Sequence, residues 1–269
     1  MKQNHFSIPL LGLGTWQLSG KECERAVKEA LEMGYRHVDT AELYDNQKAI
    51  GKALQEVDRR EIFITSKFSL DSVREKHVLQ DVENLCDKAL SELKTDYLDL
   101  YLLHWPDRSK PISESYTAMQ ELVRKGKVRH IGVSNFTIHH LQDLLKLNIP
   151  IAANQVEFHP YLYQEELWDF CKLHNITLIS YRSLGKGALL EDPKLKEIAN
   201  QYQKTVAQVI LRWLTQKNIP VIPKASSQVH LKENLEISTF SLDEKDSRAM
   251  DALHRNKRYC GESDPEFAY

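Results

Sequence analysis

The most constraining feature of this chain is a regular alternation of short β-rich runs with longer amphipathic segments, from one end to the other. Such alternation is typical of repeated βα units built around a parallel sheet. Eight runs are predicted as strands, at residues 11–14, 37–39, 62–67, 97–104, 128–134, 152–157, 177–181 and 220–223.

The segments between these runs have the spacing of amphipathic helices. Apolar residues recur on one helical face, as Val78, Val82, Leu85 and Ala89 do. Four helix starts are predicted to carry capping boxes, in which a hydroxyl and a Glu or Gln three positions later bind free backbone amides. The hydroxyl residues are Ser19, Ser72, Thr205 and Ser241.

Two folds accommodate eight βα units. The doubly wound dinucleotide-binding fold requires G-x-G-x-x-G after its first strand, but the third glycine is missing after Gly12 and Gly14. The length of 269 residues is close to the roughly 250 typical of a (β/α)8 TIM barrel. No linker or change in composition divides the chain. The sequence therefore favours a single-domain (β/α)8 TIM barrel over residues 1–269, with its active site at the C-terminal strand ends.

Charge and cysteine content limit the classes of partner. The formal net charge is -2, so no global excess of positive charge favours nucleic acid or an anionic membrane. No apolar run reaches the roughly 18 residues of a membrane span. The cysteines at positions 23, 86, 171 and 260 lie far apart and form no metal-binding motif. We expect a cytoplasmic protein without a metal site, for which a monomer suffices.

Four ionisable side chains fall at or just beyond neighbouring strand ends: Asp39, Tyr44, Lys67 and His104. In a barrel these ends open on one face, so the four side chains are predicted to converge. An ammonium close to a phenol favours the phenolate, which predicts that Lys67 lowers the pKa of Tyr44. Asp39 would hold Lys67 charged. Tyr44 then serves as a general acid while His104 orients a carbonyl group.

A purely structural interpretation stays open for each of these residues taken alone. Asp39 and Lys67 also suit a structural ion pair, His104 suits a hydrogen-bonded core histidine, and Tyr44 suits the packing of a loop. Convergence of all four at one face is what favours catalysis.

Several motifs, in the same order along nearly the whole chain, resemble those of the aldo-keto reductases. The resemblance is carried by Gly12-Leu13-Gly14-Thr15-Trp16, Asp39-Thr40-Ala41, Thr65-Ser66-Lys67, Leu103-His104-Trp105-Pro106, Gly132-Val133-Ser134-Asn135-Phe136, Asn154-Gln155, Ser180-Tyr181, Ile222-Pro223-Lys224 and Glu233-Asn234. The short start and the segment Arg255-Asn256-Lys257-Arg258 are most similar to small bacterial 2,5-diketo-D-gluconate and methylglyoxal reductases.

This resemblance implies a barrel that binds extended NADPH and carries a catalytic tetrad of Asp39, Tyr44, Lys67 and His104. It implies that Ser134, Asn135 and Gln155 bind the nicotinamide carboxamide, that Tyr181 stacks on the nicotinamide ring, and that Leu184 contacts the cofactor. Without the family, Ser134 and Asn135 would be interpreted as a helix cap and Tyr181 as a core aromatic, and capping is compatible with cofactor contact.

The adenosine end of the cofactor is assigned by the same resemblance to Lys224, His230, Glu233 and Asn234. Two residues depart from the family pattern. Ala225 replaces a common hydroxyl residue, and His230 replaces an arginine that usually holds the 2′-phosphate. Because a neutral histidine offers one donor where arginine offers a fork, we expect NADPH to be preferred weakly, with NADH as a second cofactor. The alternative is that Lys224 alone suffices.

Further residues near the expected pocket have open roles. Arg182 and Lys186 in the loop after the seventh strand either pair with cofactor phosphates or are solvated. By analogy with the family, Trp16 and Trp105 contact the substrate, whereas Trp168 and Trp213 are predicted to pack helices. His139 and His140 are predicted to be exposed on a helix.

The sequence thus predicts an NADPH-dependent reductase of small aldehydes or α-dicarbonyl compounds. There are two alternative classes: a nicotinamide-binding regulatory or sensor subunit that keeps the barrel, and a metal-dependent barrel hydrolase. The filled tetrad argues against the first, and the lack of a His/carboxylate ligand set argues against the second.

Overall fold

The architecture is a parallel β-barrel surrounded by helices. The computed structural model describes residues 7–269. In that range the strands are β1 (Leu13–Gly14), β2 (His37–Asp39), β3 (Phe63–Phe68), β4 (Leu98–Leu103), β5 (Val128–Ser134), β6 (Ala153–Glu157) and β7 (Thr177–Tyr181). Each strand pairs in parallel with the next one along the chain. The predicted (β/α)8 barrel is confirmed.

The predicted eighth strand, 220–223, closes the barrel through backbone hydrogen bonds without forming a regular strand. Val221 bridges to Leu11 on one side and to Ser180 on the other. Pro220 and Pro223 have no N–H to donate, which leaves only two donors for a ladder. A Cβ atom on Gly14 would lie 2.3 Å from the carbonyl oxygen of Ile222, so glycine permits this close approach.

The helices follow the strands in order. They are α1 (Gly20–Met33), α2 (Gln47–Ala53), α3 (Val78–Leu93), α4 (Ile112–Arg124), α5 (Ile138–Leu145), α6 (Glu165–Leu173), α7 (Pro193–Tyr202), α8 (Val206–Gln216), α9 (Gln228–Leu235) and α10 (Glu244–Asp251).

Of the four predicted capping boxes, only the one at Thr205 forms, with Gln208. Ser19 precedes α1 but makes no side-chain cap, and Ser72 lies in a separate 3-10 turn ahead of α3. The prediction at Ser241 is wrong because Asp243, two residues later, caps α10.

Side chains divide the core into two parts. The larger cluster packs outward-facing strand residues such as Val38, Ile64 and Val133 against the helices. A small cluster that includes Leu100, Leu102, Ala153 and Ile179 fills part of the barrel interior. Because side chains alternate along a strand, residues two apart on β6, such as Gln155 and Glu157, share the interior face. The barrel therefore carries polar groups up to its C-terminal mouth.

Among residues 7–269, the structure contains no helix that combines the length and the apolar character needed to cross a membrane.

Candidate active site

The four residues of the predicted tetrad meet at the C-terminal mouth of the barrel. Asp39 is the last residue of β2, Lys67 lies near the end of β3, and His104 directly follows β4. Tyr44 ends a 3-10 turn that follows β2. The loop after β2 thus brings the phenol back over the strand ends.

Lys67 is the centre of this group. Its Nζ atom lies 2.5 Å from Oδ1 of Asp39, 2.9 Å from the carbonyl oxygen of Thr40 and 3.5 Å from the hydroxyl of Tyr44. The side chains of Lys67 and Asp39 are 0% and 2% exposed. A buried ion pair requires further hydrogen bonds, and Gln155 supplies one by donating to Oδ2 of Asp39 at 2.7 Å.

Burial and charge act in opposite directions on the three coupled groups. Burial raises the pKa of Asp39, and Lys67 and Gln155 oppose that rise. Burial lowers the pKa of Lys67, but the charges of Asp39 and Tyr44 outweigh it and the net direction is upward. For Tyr44, burial raises the pKa more than Lys67 lowers it. Lys67 thus lowers the pKa of Tyr44 as predicted, but desolvation of the phenolate dominates and the net direction is upward.

His104 is a neutral hydrogen-bonding group at ordinary pH. Burial, with a smaller effect from Lys67, lowers the pKa of its imidazole to about 3. Its ring lies 5.8 Å from the ring of Tyr44, edge to face. Its Nδ1 atom is buried and has no hydrogen-bond partner. A neutral imidazole beside the phenol is suited to hold a carbonyl oxygen by hydrogen bonding rather than to act as an acid.

The residues predicted to bind the carboxamide form one network beside the tetrad. The Ser134 hydroxyl donates to the carbonyl oxygen of Gln155 at 2.8 Å. Asn135 has a left-handed backbone, with φ of 67°, and donates from its amide to the carbonyl oxygen of His104 at 3.0 Å. The Tyr181 hydroxyl donates to the side-chain oxygen of Asn135 at 2.6 Å. Amide groups next to an aromatic ring fit the flat carboxamide of a nicotinamide.

The helix-cap interpretation of Ser134 and Asn135 is wrong. The residue that caps α5 is Thr137, which forms a capping box with His140. The side chains of Ser134 and Asn135 instead bind each other and the backbones of neighbouring strand ends.

A cavity of about 760 Å³ opens over these groups. Its walls include Trp16, which is 40% exposed, Trp105, and two residues that the sequence did not suggest, Leu43 and Cys260. A second cavity, of about 800 Å³, lies between α5, α6 and the C-terminal residues and contains no member of the tetrad. The first cavity, which contains members of the predicted tetrad, is therefore the candidate active site.

The residues expected at the adenosine end are only partly brought together. Leu184 and Lys224 line the first cavity. His230, Glu233 and Asn234 lie on α9 outside its walls, with His230 exposed and Asn234 buried. Ala225 is 2% exposed and faces the core.

Arg182 makes two contacts within the protein that the sequence did not predict. Its guanidinium donates to the carbonyl oxygen of Tyr259 and lies 4.9 Å from the centre of the Trp16 ring. Lys186 is exposed at the rim of the cavity. Arg182 thus connects the loop after β7 to the C-terminal segment.

Two further predictions concern helix residues. Trp213 is fully buried and donates to Asp251, and Trp168 packs against the core, as expected. His139 is exposed, but His140 is only 3% exposed and its prediction is wrong. The ring of His140 accepts from Thr137 and bonds to Glu266, because the C-terminal segment covers this end of α5.

No group of three or more His, Cys, Asp or Glu side chains within residues 7–269 is arranged to hold a metal ion.

A parallel barrel with a lysine-linked tyrosine beside an amide network defines a class of barrel oxidoreductases. The chain belongs to the aldo/keto reductase family, whose model matches residues 10–255. It is 42% identical to glyoxal reductase of Bacillus subtilis (strain 168), over 95% of this chain and 92% of that protein. It is 39% identical to 9,11-endoperoxide prostaglandin H2 reductase of Trypanosoma cruzi (strain CL Brener), over 98% of this chain and 94% of that protein.

Solved structures agree with these relatives. A protein assigned as a 2,5-diketo-D-gluconic acid reductase B has a TM-score of 0.88 and 39% identity, over 92% of this chain and 88% of that chain. Aldose reductase from Schistosoma japonicum has a TM-score of 0.87 and 34% identity, over 96% of this chain and 92% of that chain. The protein is accordingly an oxidoreductase that reduces carbonyl compounds to alcohols with a nicotinamide cofactor.

Proposed function

We propose that this protein reduces small aldehydes and α-dicarbonyl compounds, among them glyoxal, methylglyoxal and 2,5-diketo-D-gluconate, with NADPH as the preferred cofactor. The observation that carries the proposal is the position of the Tyr44 hydroxyl, 3.5 Å from the buried ammonium of Lys67 and inside the cavity lined by the amide network. The names of the bacterial glyoxal reductase and the diketogluconic acid reductase support this substrate class.

Each residue of the tetrad has a separate task in this proposal. Tyr44 donates its phenolic proton to the carbonyl oxygen, and Lys67, held by Asp39, stabilises the phenolate that remains. His104 donates a hydrogen bond to the same oxygen and so fixes the carbonyl carbon in the cavity. Ser134, Asn135 and Gln155 bind the carboxamide of the nicotinamide, and Tyr181 stacks on the nicotinamide ring. When bound, the nicotinamide supplies the hydride that the carbonyl carbon accepts.

The preference for NADPH rests on Lys224 at the edge of the cavity and on the proposed contact of His230 with the 2′-phosphate. Glu233, Asn234 and Leu184 are proposed as further contacts, while Lys186 and Arg182 lie close enough to the cavity to meet the pyrophosphate. NADH is proposed as a weaker cofactor, because a histidine offers phosphate one donor.

We also propose that residues 1–269 act as one domain in the cytoplasm, in agreement with four free cysteine thiols.

The test is NADPH oxidation by the purified protein against methylglyoxal, glyoxal, 2,5-diketo-D-gluconate, simple aldehydes and aldoses. We expect turnover with the small α-dicarbonyl compounds and weak turnover with aldoses. Tight NADPH binding without reduction of any of these compounds would instead support the sensor subunit.

A further inference from the structure

A buried carboxylate lies at the mouth of the barrel outside the tetrad. Glu157 is the last residue of β6 and is 0% exposed. It lies two residues beyond Gln155, on the same interior face of the strand. Its Oε1 atom accepts from the backbone N–H of Tyr259, and its Oε2 atom accepts from that of Cys260, each at 2.8 Å. The ring of His159 lies 2.9 Å from Oε1.

This arrangement ties the barrel to the segment 259–269, which we call the C-terminal tail. A buried carboxylate is stable only when donors surround it, and two of its three donors here are backbone amides of the tail. Backbone amides hold the tail whatever side chains stand at positions 259 and 260. Arg182 also holds this stretch, by donating to the carbonyl oxygen of Tyr259.

The tail forms one wall of the substrate cavity directly after this attachment. Cys260 lines the cavity together with Tyr44 and Trp105. Gly261 has a left-handed backbone with φ of 62°, and a Cβ atom there would lie 3.2 Å from the Trp105 ring. Phe267 packs edge to face on Trp105, with 5.9 Å between ring centres. The position of Trp105 and Cys260 therefore depends on where the tail lies.

The far end of the tail is attached separately. Glu266 accepts from Arg108 at 2.9 Å and bonds to His140 at 2.8 Å. The hydroxyl of Thr137 donates to the carbonyl oxygen of Tyr269 at 2.8 Å. Loss of the Glu157 contacts would thus remove two hydrogen bonds from the part of the tail nearest Tyr44, where the Arg182 contact remains, while the far end stayed attached.

We propose that Glu157 is a positioning residue for the carbonyl substrate: its carboxylate holds the backbone of residues 259 and 260 so that Cys260 and Trp105 form the cavity wall. The proposal rests on the proposed reductase function, since it names what sets substrate affinity in that cavity. Glu157 pairs with Tyr181 through the backbones of β6 and β7, but among the described residues its carboxylate makes no hydrogen bond to the tetrad or to the amide network. Its effect is therefore on substrate binding and not on proton transfer.

The test is Glu157→Gln in the full-length chain. Glutamine places an N–H2 group against one of the two tail amides, so one hydrogen bond to a charged acceptor is lost and two donors face each other. We expect KM for methylglyoxal to rise roughly tenfold or more, with kcat changed less than about twofold. The Kd for NADPH should not change.

Thiol labelling gives a measurement that does not depend on activity. Cys23, Cys86 and Cys171 are buried, whereas Cys260 is partly exposed, so N-ethylmaleimide reports mainly on Cys260. We expect Glu157→Gln to accelerate labelling of Cys260 severalfold. Glu157→Asp keeps the charge but is shorter, and it should give smaller changes in the same direction if the glutamine variant does not fold.

Glu166→Gln is the matched control, because Glu166 is exposed on α6, and it should change none of these values. The proposal is overturned if KM rises while Cys260 labelling stays at the wild-type rate, if the Kd for NADPH rises as much as KM, or if neither KM nor labelling changes. If the wild-type protein reduces no carbonyl compound, the proposed function fails, and labelling alone still decides whether Glu157 holds the tail.

Discussion

Gln155 donates a 2.7 Å hydrogen bond to the carboxylate of Asp39 across the barrel interior. One side chain therefore connects the proposed carboxamide site to the ion pair that supports Tyr44. A hydrogen bond to the charged form favours that form, and Gln155 opposes the rise in the pKa of Asp39 that burial causes.

Replacing Gln155 should therefore affect both binding and chemistry. A hydrogen bond to a charged group contributes about 1.5–3 kcal/mol, so for Gln155→Ala we expect kcat at saturating NADPH to fall roughly tenfold or more. The Kd for NADPH should rise as well. Ser134→Ala is the control, because Ser134 does not contact Asp39, and it should weaken NADPH binding while kcat at saturation stays near the wild-type value. Equal kcat values for both variants would contradict the connection.

Removal of the proposed acid gives the most direct test of the tetrad. Tyr44→Phe keeps the ring but has no proton to donate, so we expect kcat to fall by about 10²–10⁴. NADPH binding, followed by quenching of tryptophan fluorescence, should stay within about twofold of wild type. Turnover near the wild-type rate would refute the assignment of Tyr44.

The pH dependence of turnover follows from the raised pKa of Tyr44 and the lowered pKa of His104. Tyr44 keeps its proton at neutral pH and loses it only in alkaline solution, so activity should decline on the alkaline side. His104 stays neutral until the pH approaches its pKa of about 3. A loss of kcat between pH 7 and 6 that disappears in His104→Gln would contradict this description.

Cofactor preference tests the role of His230. If its imidazole binds the 2′-phosphate through one donor, His230→Arg should raise the ratio of kcat/KM for NADPH to that for NADH about tenfold, since arginine offers a bidentate charge. His230→Ala should lower the same ratio. A ratio that neither substitution changes would show that Lys224 suffices.

A buried histidine below the active site makes stability depend on pH. Burial, with a smaller effect from Lys67, lowers the pKa of His37 to about 3, against an ordinary value of 6.5. The stability that this neutral histidine contributes is complete above pH 6.5 and is lost as the pH falls toward 3. Between pH 6.5 and 5, the free energy of unfolding of the wild type should therefore fall by about 2 kcal/mol more than that of His37→Gln.

Urea denaturation at several pH values measures this difference. His139→Gln, which replaces an exposed histidine, is the control and should follow the wild-type profile. Parallel profiles for His37→Gln and wild type would mean that His37 does not carry the effect.

Most of the barrel is readable from the sequence because each strand is a short β-rich run between helical segments. The predicted bounds of β2, β5 and β7 agree with the structure. The structure of residues 220–223 was harder to predict. The run is apolar, as a buried strand is, but its two prolines have no backbone N–H groups for a regular ladder. Capping boxes also failed as a local signal, since Asp243 competes with Ser241 for the same helix start.

Site residues could be predicted from the sequence where motif residues lie at strand ends, as Lys67 and His104 do. Glu157 was missed although its signal was present: it follows Gln155 by two positions and so shares its interior face. What the sequence could not reveal is that the tail returns to bind it. The burial of His140 was missed for the same reason, because its partner Glu266 is remote in sequence and the chain offers no local sign of that contact.

The closure of the barrel at Val221 has a consequence for how the protein is made. Leu11 and Ser180 each pair with Val221, which lies near the other end of the chain from Leu11. While the ribosome is still synthesising the chain, the strands already produced form a sheet whose two edges lack a partner. Open edges invite pairing with other chains, so a nascent molecule is most exposed to aggregation just before Val221 emerges. The ring becomes complete only after Val221 has been synthesised, 210 residues after Leu11.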